Sequence, residues 1–204
     1  MKVLLFTQKY HFASNMYLIY SGSEAAVIDP SLKYSFASDA ITQNGLTVKY
    51  IIVTHAHFDH MLEIDEWVEK TGARVIVGRD DAKALSDPTL NCYWKFFHKD
   101  RGYFGKYTVA DEGDKLWLSD EDITVINTPG HTKGSITLKT RELLFVGDVI
   151  FSEGSFGRYD LPGGDVYQLK QSVDKLCALD ESLTVYPGHG AETSIKDYKI
   201  DRRI

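Results

Sequence analysis

The chain has 204 residues, a formal net charge of −6 and 43% hydrophobic residues, which is enough apolar material for one packed domain over residues 1–204. The acidic balance argues against a nucleic-acid partner, and no apolar run approaches the roughly 20 residues of a membrane span. Only Cys92 and Cys177 are present, without thiolate metal spacing, so the sequence predicts reduced thiols and a cytoplasmic protein without a membrane partner.

The first half of the chain alternates short β-branched runs with segments of helical spacing. Two of the helical segments stop at a glycine, Gly45 and Gly72, as helices commonly do. The predicted strands are 3–7, 16–20, 25–29, 48–54 and 74–77, and the predicted helices are 35–44, 61–70 and 80–85.

The second half repeats this alternation. Its predicted strands are 115–118, 123–127, 135–139, 143–146 and 184–186, with a helix at 166–178. Two β-rich halves with helices predict an α+β fold, in which two mixed sheets pack face to face and helices cover their outer faces.

Residues 91–107, NCYWKFFHKDRGYFGKY, interrupt this pattern with seven aromatic and four basic side chains and no regular period. The segment is interpreted either as a substrate lid or as an aromatic cluster that packs on the scaffold or forms a homodimer contact, and packing is the preferred alternative.

The stretch VTHAHFDHM holds three histidines and one aspartate within six residues, directly after a predicted strand. A lone histidine is usually not a metal ligand, but four ligand-type side chains where a strand turns toward a helix indicate a metal site. Three more ligand-type residues follow apolar runs, in TPGHT, VGDV and YPGHG. The seven residues are His55, His57, Asp59, His60, His131, Asp148 and His189.

In this order and spacing, THAHFDH, TPGHT, GD and PGHG resemble the metallo-β-lactamase superfamily over nearly the whole chain. The resemblance implies an αββα sandwich with two divalent metals, zinc above all, with iron and manganese also compatible. It also implies that Asp29 supports the site by accepting an imidazole N–H, with a turn aspartate before Pro30 as the alternative. The implied ligands are His55, His57 and His131 for the first metal and Asp59, His60 and His189 for the second, with Asp148 between them.

Within the superfamily, FSEGSFGRYDLPGGD resembles the loop of glyoxalase II, the hydroxyacylglutathione hydrolase branch. This implies hydrolysis of a small-molecule thioester, glutathione-derived or built on another thiol, by a metal-bridging hydroxide that Asp59 orients. Arg158 and Tyr159 are implied as contacts for an anionic substrate, although Arg158 could instead pair with Asp160. The chain resembles short members without the additional C-terminal helical domain.

Other functions share these motifs. The nearest alternative is a persulfide dioxygenase with one iron, from which the SFGRYDLPGGD loop and the presence of His189 depart. A β-lactamase or lactonase leaves the LPGGD loop unexplained, and a nuclease does not suit the acidic balance. A metal-binding scaffold without catalysis is the alternative from outside enzymes.

Overall fold

The structure is a computed structural model that describes residues 1–8 and 12–202. Its N-terminal part forms a six-stranded sheet in which chain order and spatial order coincide. The first three strands pair antiparallel, and the third to sixth pair parallel. The strands are β1 (Lys2–Phe6), β2 (Met16–Ser21), β3 (Glu24–Ile28), β4 (Thr47–Val53), β5 (Arg74–Gly78) and β6 (Tyr107–Ala110).

The C-terminal part forms a second six-stranded sheet. Its strands are β7 (Lys115–Leu118), β8 (Glu121–Asn127), β9 (Ile136–Lys139), β10 (Leu143–Gly147), β11 (Thr184–Pro187) and β12 (Thr193–Ser194). Their spatial order is β12-β11-β10-β9-β8-β7. Only the pair β10–β11 is parallel among these strands, and the other pairs are antiparallel.

Helices cover the outer faces of both sheets. The long helix α4 begins at an aspartate cap, because the Asp165 carboxylate accepts hydrogen bonds from the backbone N–H groups of Tyr167 and Gln168. Helix α2 ends at Gly72, which has a left-handed φ of 64°. The helices are α1 (Ser38–Gln43), α2 (Ile64–Thr71), α3 (Tyr93–Phe97), α4 (Val166–Cys177) and α5 (Ile195–Arg202). No helix in the described residues has the length and apolar content that a membrane span requires.

The core lies in layers, because both faces of the central strands are covered. In β2, Tyr17 and Ile19 point toward the second sheet, whereas Met16 and Leu18 point toward α1 and α2. A third apolar layer packs α4 and α5 on β10 and β11. Burial on both faces explains why these strands read as continuous apolar runs rather than alternating ones.

The parallel pairing places several loops at one edge of the sandwich. The carboxyl ends of β3, β4 and β5 lie side by side in one sheet, and those of β10 and β11 lie side by side in the other. Loops at such an edge can present polar side chains while the strands below stay rigid. All the ligand-type residues except His131 follow one of these strand ends, and His131 lies in the loop between β8 and β9.

The predicted αββα sandwich is confirmed, and one predicted helix is wrong. Residues 80–85 form only a short 3-10 turn at Arg79–Asp81 followed by further turns. Their backbone bonds span three residues, as from the Ala84 N–H to the Asp81 carbonyl at 2.9 Å. The α-helix fails because the side chain of Asp81 is buried and engaged with other loops, as described below. The sequence analysis also missed α3, α5, β6 and β12.

Trp67 in α2 is a direct test of the helix layer. Its side chain is fully buried, and its indole N–H donates to the Leu32 carbonyl at 2.8 Å. We expect Trp67→Ala to lower the free energy of unfolding by about 3–5 kcal/mol, because it leaves a large cavity. Trp117→Ala, at a half-exposed tryptophan, should change it by about 0.5 kcal/mol or less. Urea unfolding measures both, and equal effects would contradict this packing.

Candidate metal centre

The imidazole rings of His55, His57 and His131 lie close together beyond the end of β4. The Nε2 atom of His55 lies 3.1 Å from Nδ1 of His57, and Nε2 of His131 lies 3.1 Å and 2.9 Å from these two atoms. Nitrogen ligands that each lie 2.0–2.1 Å from one zinc ion at tetrahedral angles stand about 3.3 Å apart. The triangle of nitrogens therefore has nearly the size that one metal ion requires.

Neighbouring groups set the tautomer of two of these histidines. His131 Nδ1 lies 2.7 Å from the Arg158 carbonyl oxygen, which can only accept, so Nδ1 carries the proton. His55 Nδ1 lies 3.3 Å from the Thr54 hydroxyl, which already donates to Asp29 and can accept from the ring. In both rings the proton is on Nδ1, and the lone pair of Nε2 points into the triangle.

A second group lies beside the first. His189 Nε2 is 3.1 Å from Asp59 Oδ2, and His60 Nε2 is 3.7 Å from the same oxygen. His60 donates its Nδ1–H to the Asp29 carboxylate at 2.8 Å, so Nε2 is the ring nitrogen that faces this group and would bind a metal in place of a proton. Asp59, His60 and His189 thus offer one carboxylate oxygen and two imidazole nitrogens within 4.8 Å of one another.

Asp148 lies between the two groups. Its Oδ2 atom is 3.7 Å from His131 Nε2 on the first side and 3.8 Å from His189 Nε2 on the second. Its Oδ1 atom is 3.4 Å from His60 Nε2. One carboxylate therefore faces both groups, as a bridging ligand would.

Two buried atoms beside the second group, one on His60 and one on the intervening Asp148, lack any hydrogen-bond partner in the part of the chain that the structure describes. They are His60 Nε2 and Asp148 Oδ1. Buried polar atoms without partners are rare in proteins, because leaving them unpaired costs free energy. A divalent cation between them would satisfy both, and nitrogen and carboxylate ligands suit zinc, iron and manganese.

The pKa values separate the two groups electrostatically. Burial, reinforced by His131, lowers the pKa of His57 to about 3, and burial lowers the pKa of His55 well below its ordinary value. For His60, burial alone would lower the pKa, but the carboxylates of Asp29, Asp148 and Asp59 outweigh it and raise the pKa well above its usual value. His55 and His57 are therefore neutral, whereas the carboxylates of Asp29, Asp59 and Asp148 around His60 favour a cation at the second group.

The Asp29 carboxylate lies behind the histidine cluster and accepts three hydrogen bonds. It accepts from His60 Nδ1 and also from the backbone N–H and the hydroxyl of Thr54, each at 2.8 Å. Asp29 is buried and has a left-handed φ of 53°, which aspartate tolerates better than most residues. It therefore connects the end of β3 to both ligand-bearing turns after β4.

Asp81 plays a matching part, and the sequence analysis missed it. Its Oδ2 atom accepts hydrogen bonds from the Ala56 N–H at 2.9 Å and the Thr132 hydroxyl at 2.8 Å, and its Oδ1 atom accepts from the Gly134 N–H at 2.8 Å. Burial raises the pKa of this carboxyl, which the three hydrogen bonds oppose. Asp81 thereby connects the loop of His55 and His57 to the loop of His131.

The loop after β11 approaches the centre closely at Gly188. A Cβ atom at this position would lie 2.2 Å from Asp148 Oδ1 and 2.6 Å from Cε1 of His60. No side chain fits there, so the glycine of YPGHG is required for the bridging carboxylate to sit against His60.

A cleft of about 180 Å³ opens onto the centre. Arg158 lines it, whereas Tyr159 is not among its described lining residues. The Arg158 guanidinium makes two hydrogen bonds to Asp160, from Nε to Oδ1 at 2.7 Å and from Nη2 to Oδ2 at 2.8 Å. The pairing weighed as the alternative in the sequence analysis is thus present, and Arg158 contributes its carbonyl oxygen to His131. Segment 91–107 borders the cleft through Cys92 and Phe96.

Comparison with known proteins agrees with this arrangement. Residues 10–189 match the family model of the metallo-beta-lactamase superfamily. The "Probable metallo-hydrolase YqgX" of Bacillus subtilis (strain 168) is 34% identical over 189 residues, which cover 89% of this chain and 87% of the relative.

Two solved structures have the same fold. BLEG-1 B3 metallo-beta-lactamase superposes with a TM-score of 0.89 at 28% identity and covers 98% of this chain and 97% of its own. ETHE1 from Myxococcus xanthus superposes with a TM-score of 0.82 at 25% identity, covering 99% of this chain and 83% of its own. The structural similarity thus extends over nearly the whole chain.

Asp81→Asn tests the support of the first group. The amide keeps one acceptor oxygen and places an NH₂ group against a donor, so we expect the free energy of unfolding to fall by about 1–3 kcal/mol. Metal affinity should fall about 10–100-fold, because both ligand loops lose their connection. Asp80→Asn, at the exposed neighbour, is the matched control. Urea unfolding and metal titration measure the two effects, and indistinguishable variants would contradict the role of Asp81.

Proposed function

The chain belongs to the metallo-beta-lactamase superfamily, and on this premise we propose that it is a metal-dependent thioester hydrolase with a two-metal centre. The observation that carries the proposal is the pair of complete ligand groups that share Asp148. The first metal would be held by His55, His57 and His131 and the second by Asp59, His60 and His189, with zinc as the expected ion and iron or manganese as alternatives.

Two divalent cations bound there would lower the pKa of a shared water and polarise the carbonyl of the substrate. The chain's own residues orient these partners. Asp59 lines the cleft, and its carboxylate can accept a hydrogen bond from the attacking oxygen and thus aim the oxygen lone pair at the carbonyl carbon. Asp29 and the Arg158 carbonyl fix the ring planes of His60 and His131, so the ligand geometry is set before substrate enters.

A thioester suits the cleft because the walls of the cleft lack a general acid. Outside the ligand groups, its described lining holds only two titratable side chains, Cys92 and Arg158. Burial raises the pKa of the Cys92 thiol to about 11, and the hydrogen bonds that the guanidinium donates to Asp160 raise the pKa of Arg158. Neither is a general acid near neutral pH, so a leaving group that departs as an anion is favoured. A thiol with an ordinary pKa of about 8.5 leaves as thiolate without a donor, whereas an amine does not.

The glyoxalase II-like loop FSEGSFGRYDLPGGD supports the same chemistry. A thiol derived from glutathione is one candidate leaving group, and a protein acting on such a small molecule would need neither a nucleic-acid nor a membrane partner. Homodimer formation through residues 91–107 also stays a proposal.

One second candidate has an observation in its favour. It is the persulfide dioxygenase, whose family shares the T-H-x-H-x-D-H and P-G-H-T motifs that this chain carries as THAHFDH and PGHT. A single iron held by two histidines and one aspartate would serve that reaction. The complete second group, with His189 3.1 Å from Asp59, favours two metals, so metal stoichiometry separates the two functions.

The test combines metal content with turnover in one preparation, purified without chelator. We expect two metals per chain and hydrolysis of S-D-lactoylglutathione or another acyl thioester, lost on chelation and restored by added metal. His131→Ala should lower turnover by more than about a hundredfold, since even groups that only orient ligands contribute 10–100-fold. His98→Ala, at an exposed histidine in the 91–107 segment, is the control and should retain activity and metal.

Three outcomes would contradict the proposal. One iron per chain with oxygen uptake on glutathione persulfide would assign the protein to the dioxygenases. Turnover of β-lactams without any thioester would assign it to the lactamases. Two bound metals without turnover of any substrate would leave a metal-binding scaffold.

A further inference from the structure

One wall of the metal cleft is apolar. Besides the ligand residues His57, His131 and Asp148, the lining includes three phenylalanines and one leucine. Two of them are buried in the body of the protein, and the other two expose 65% and 44% of their surface. We call these four residues the apolar wall; they are Phe58, Leu161, Phe12 and Phe96.

The apolar wall is built onto the metal loop itself. Phe58 lies between the ligand-type residues His57 and Asp59, and α3 packs over it with ring centroids 5.6 Å apart to Phe96 and 5.3 Å apart to Phe97. Phe12 contacts Phe97 edge to face at 5.7 Å. Segment 91–107 therefore both packs on the scaffold and presents Phe96 to the cleft.

The charges at the cleft do not compensate for this wall. Arg158 is the only arginine or lysine in its described lining, and Asp160 already binds the guanidinium through two hydrogen bonds. An anionic substrate group would therefore meet a guanidinium whose charge is already paired with that carboxylate. An apolar group, by contrast, removes the exposed faces of Phe12 and Phe96 from water at no cost in existing contacts.

Resting on the proposed thioesterase function, we propose that the apolar wall is a binding site for an aromatic or branched aliphatic acyl group, with Phe96 as a specificity-determining residue. The wall takes the acyl side of the thioester because negative charge develops on the leaving sulfur, which an apolar surface disfavours. The acyl substituent stays uncharged through the reaction. The exposed ring of His189, whose side chain is 41% accessible, offers the departing thiolate a polar surface.

The experiment uses the metal-loaded protein and two series of thioesters. In the first, acetyl, isovaleryl and phenylacetyl groups are carried by one thiol, N-acetylcysteamine. In the second, the acetyl group is carried by N-acetylcysteamine, glutathione and benzyl mercaptan. We expect kcat/KM to rise at least about tenfold from acetyl to phenylacetyl in the first series, mainly through KM, because the added group is buried.

Variants on one helix assign the effect to the wall. Phe96→Ala should lower kcat/KM for the phenylacetyl thioester about tenfold more than for the acetyl thioester, and Phe96→Leu should restore part of the preference. Trp94→Ala is the matched control, because Trp94 is also in α3, is 47% exposed and does not line the cleft. An equal effect of Phe96→Ala and Trp94→Ala would overturn the proposal, as would a preference confined to the thiol series.

Binding of the acids separates this proposal from the function on which it rests. Calorimetric titration with phenylacetate and acetate should give at least about tenfold tighter binding of phenylacetate, lost in Phe96→Ala. If that difference is found and no thioester turns over, the acyl site stands and the thioesterase function fails. If thioesters turn over without any acyl preference and the two acids bind alike, the acyl site is wrong and the thioesterase function stands.

Discussion

Two buried carboxylates that are not placed to bind metal hold the centre together. Asp29, after β3, binds the turn that carries His55 and the ring of His60, and Asp81, after β5, binds the loops of His57 and His131. Both residues follow strands that pair parallel to β4, the strand that leads into the histidines. The two carboxylates therefore lie on either side of the end of β4. Because each carboxylate accepts three hydrogen bonds, the desolvation cost of burying it is offset. Separating the loops would break these bonds and leave a buried carboxylate without partners.

The same arrangement explains how much could be predicted. The strands of both sheets other than β6 and β12, and the helices α2 and α4, follow from apolar runs, glycine stops and the spacing of Leu62, Ile64, Trp67 and Val68. The ligand-type residues stand out because four lie within six positions. Asp81 could not be found in this way, since it sits in RDDAK as one of two adjacent aspartates and only the tertiary fold buries one and exposes the other.

The aromatic segment shows a second limit of sequence reasoning. Helix α3 has five residues and lies between Cys92 and His98, which both have left-handed φ angles of 68° and 51°, and no periodicity announces so short an element. Its aromatic rings are explained by Phe58, a residue within the metal motif whose ring needs a cover. Similarly, the motif around Arg158 suggested a guanidinium contact to substrate, while the structure uses its carbonyl oxygen for His131 and pairs its charge with Asp160. The metal-ligand candidates can thus be identified from the sequence, whereas the residues that line the substrate cleft depend on tertiary packing.

We propose that one carboxylate, Asp148, joins two metal positions built from separate ligand groups. The most direct measurement is anomalous diffraction at the absorption edge of the bound metal, from crystals grown without chelator. We expect two anomalous peaks about 3.5–4 Å apart, with Asp148 between them. The first peak should contact Nε2 of His55, Nδ1 of His57 and Nε2 of His131. A single peak at full occupancy, or peaks away from these nitrogens, would contradict a two-metal centre bridged by Asp148.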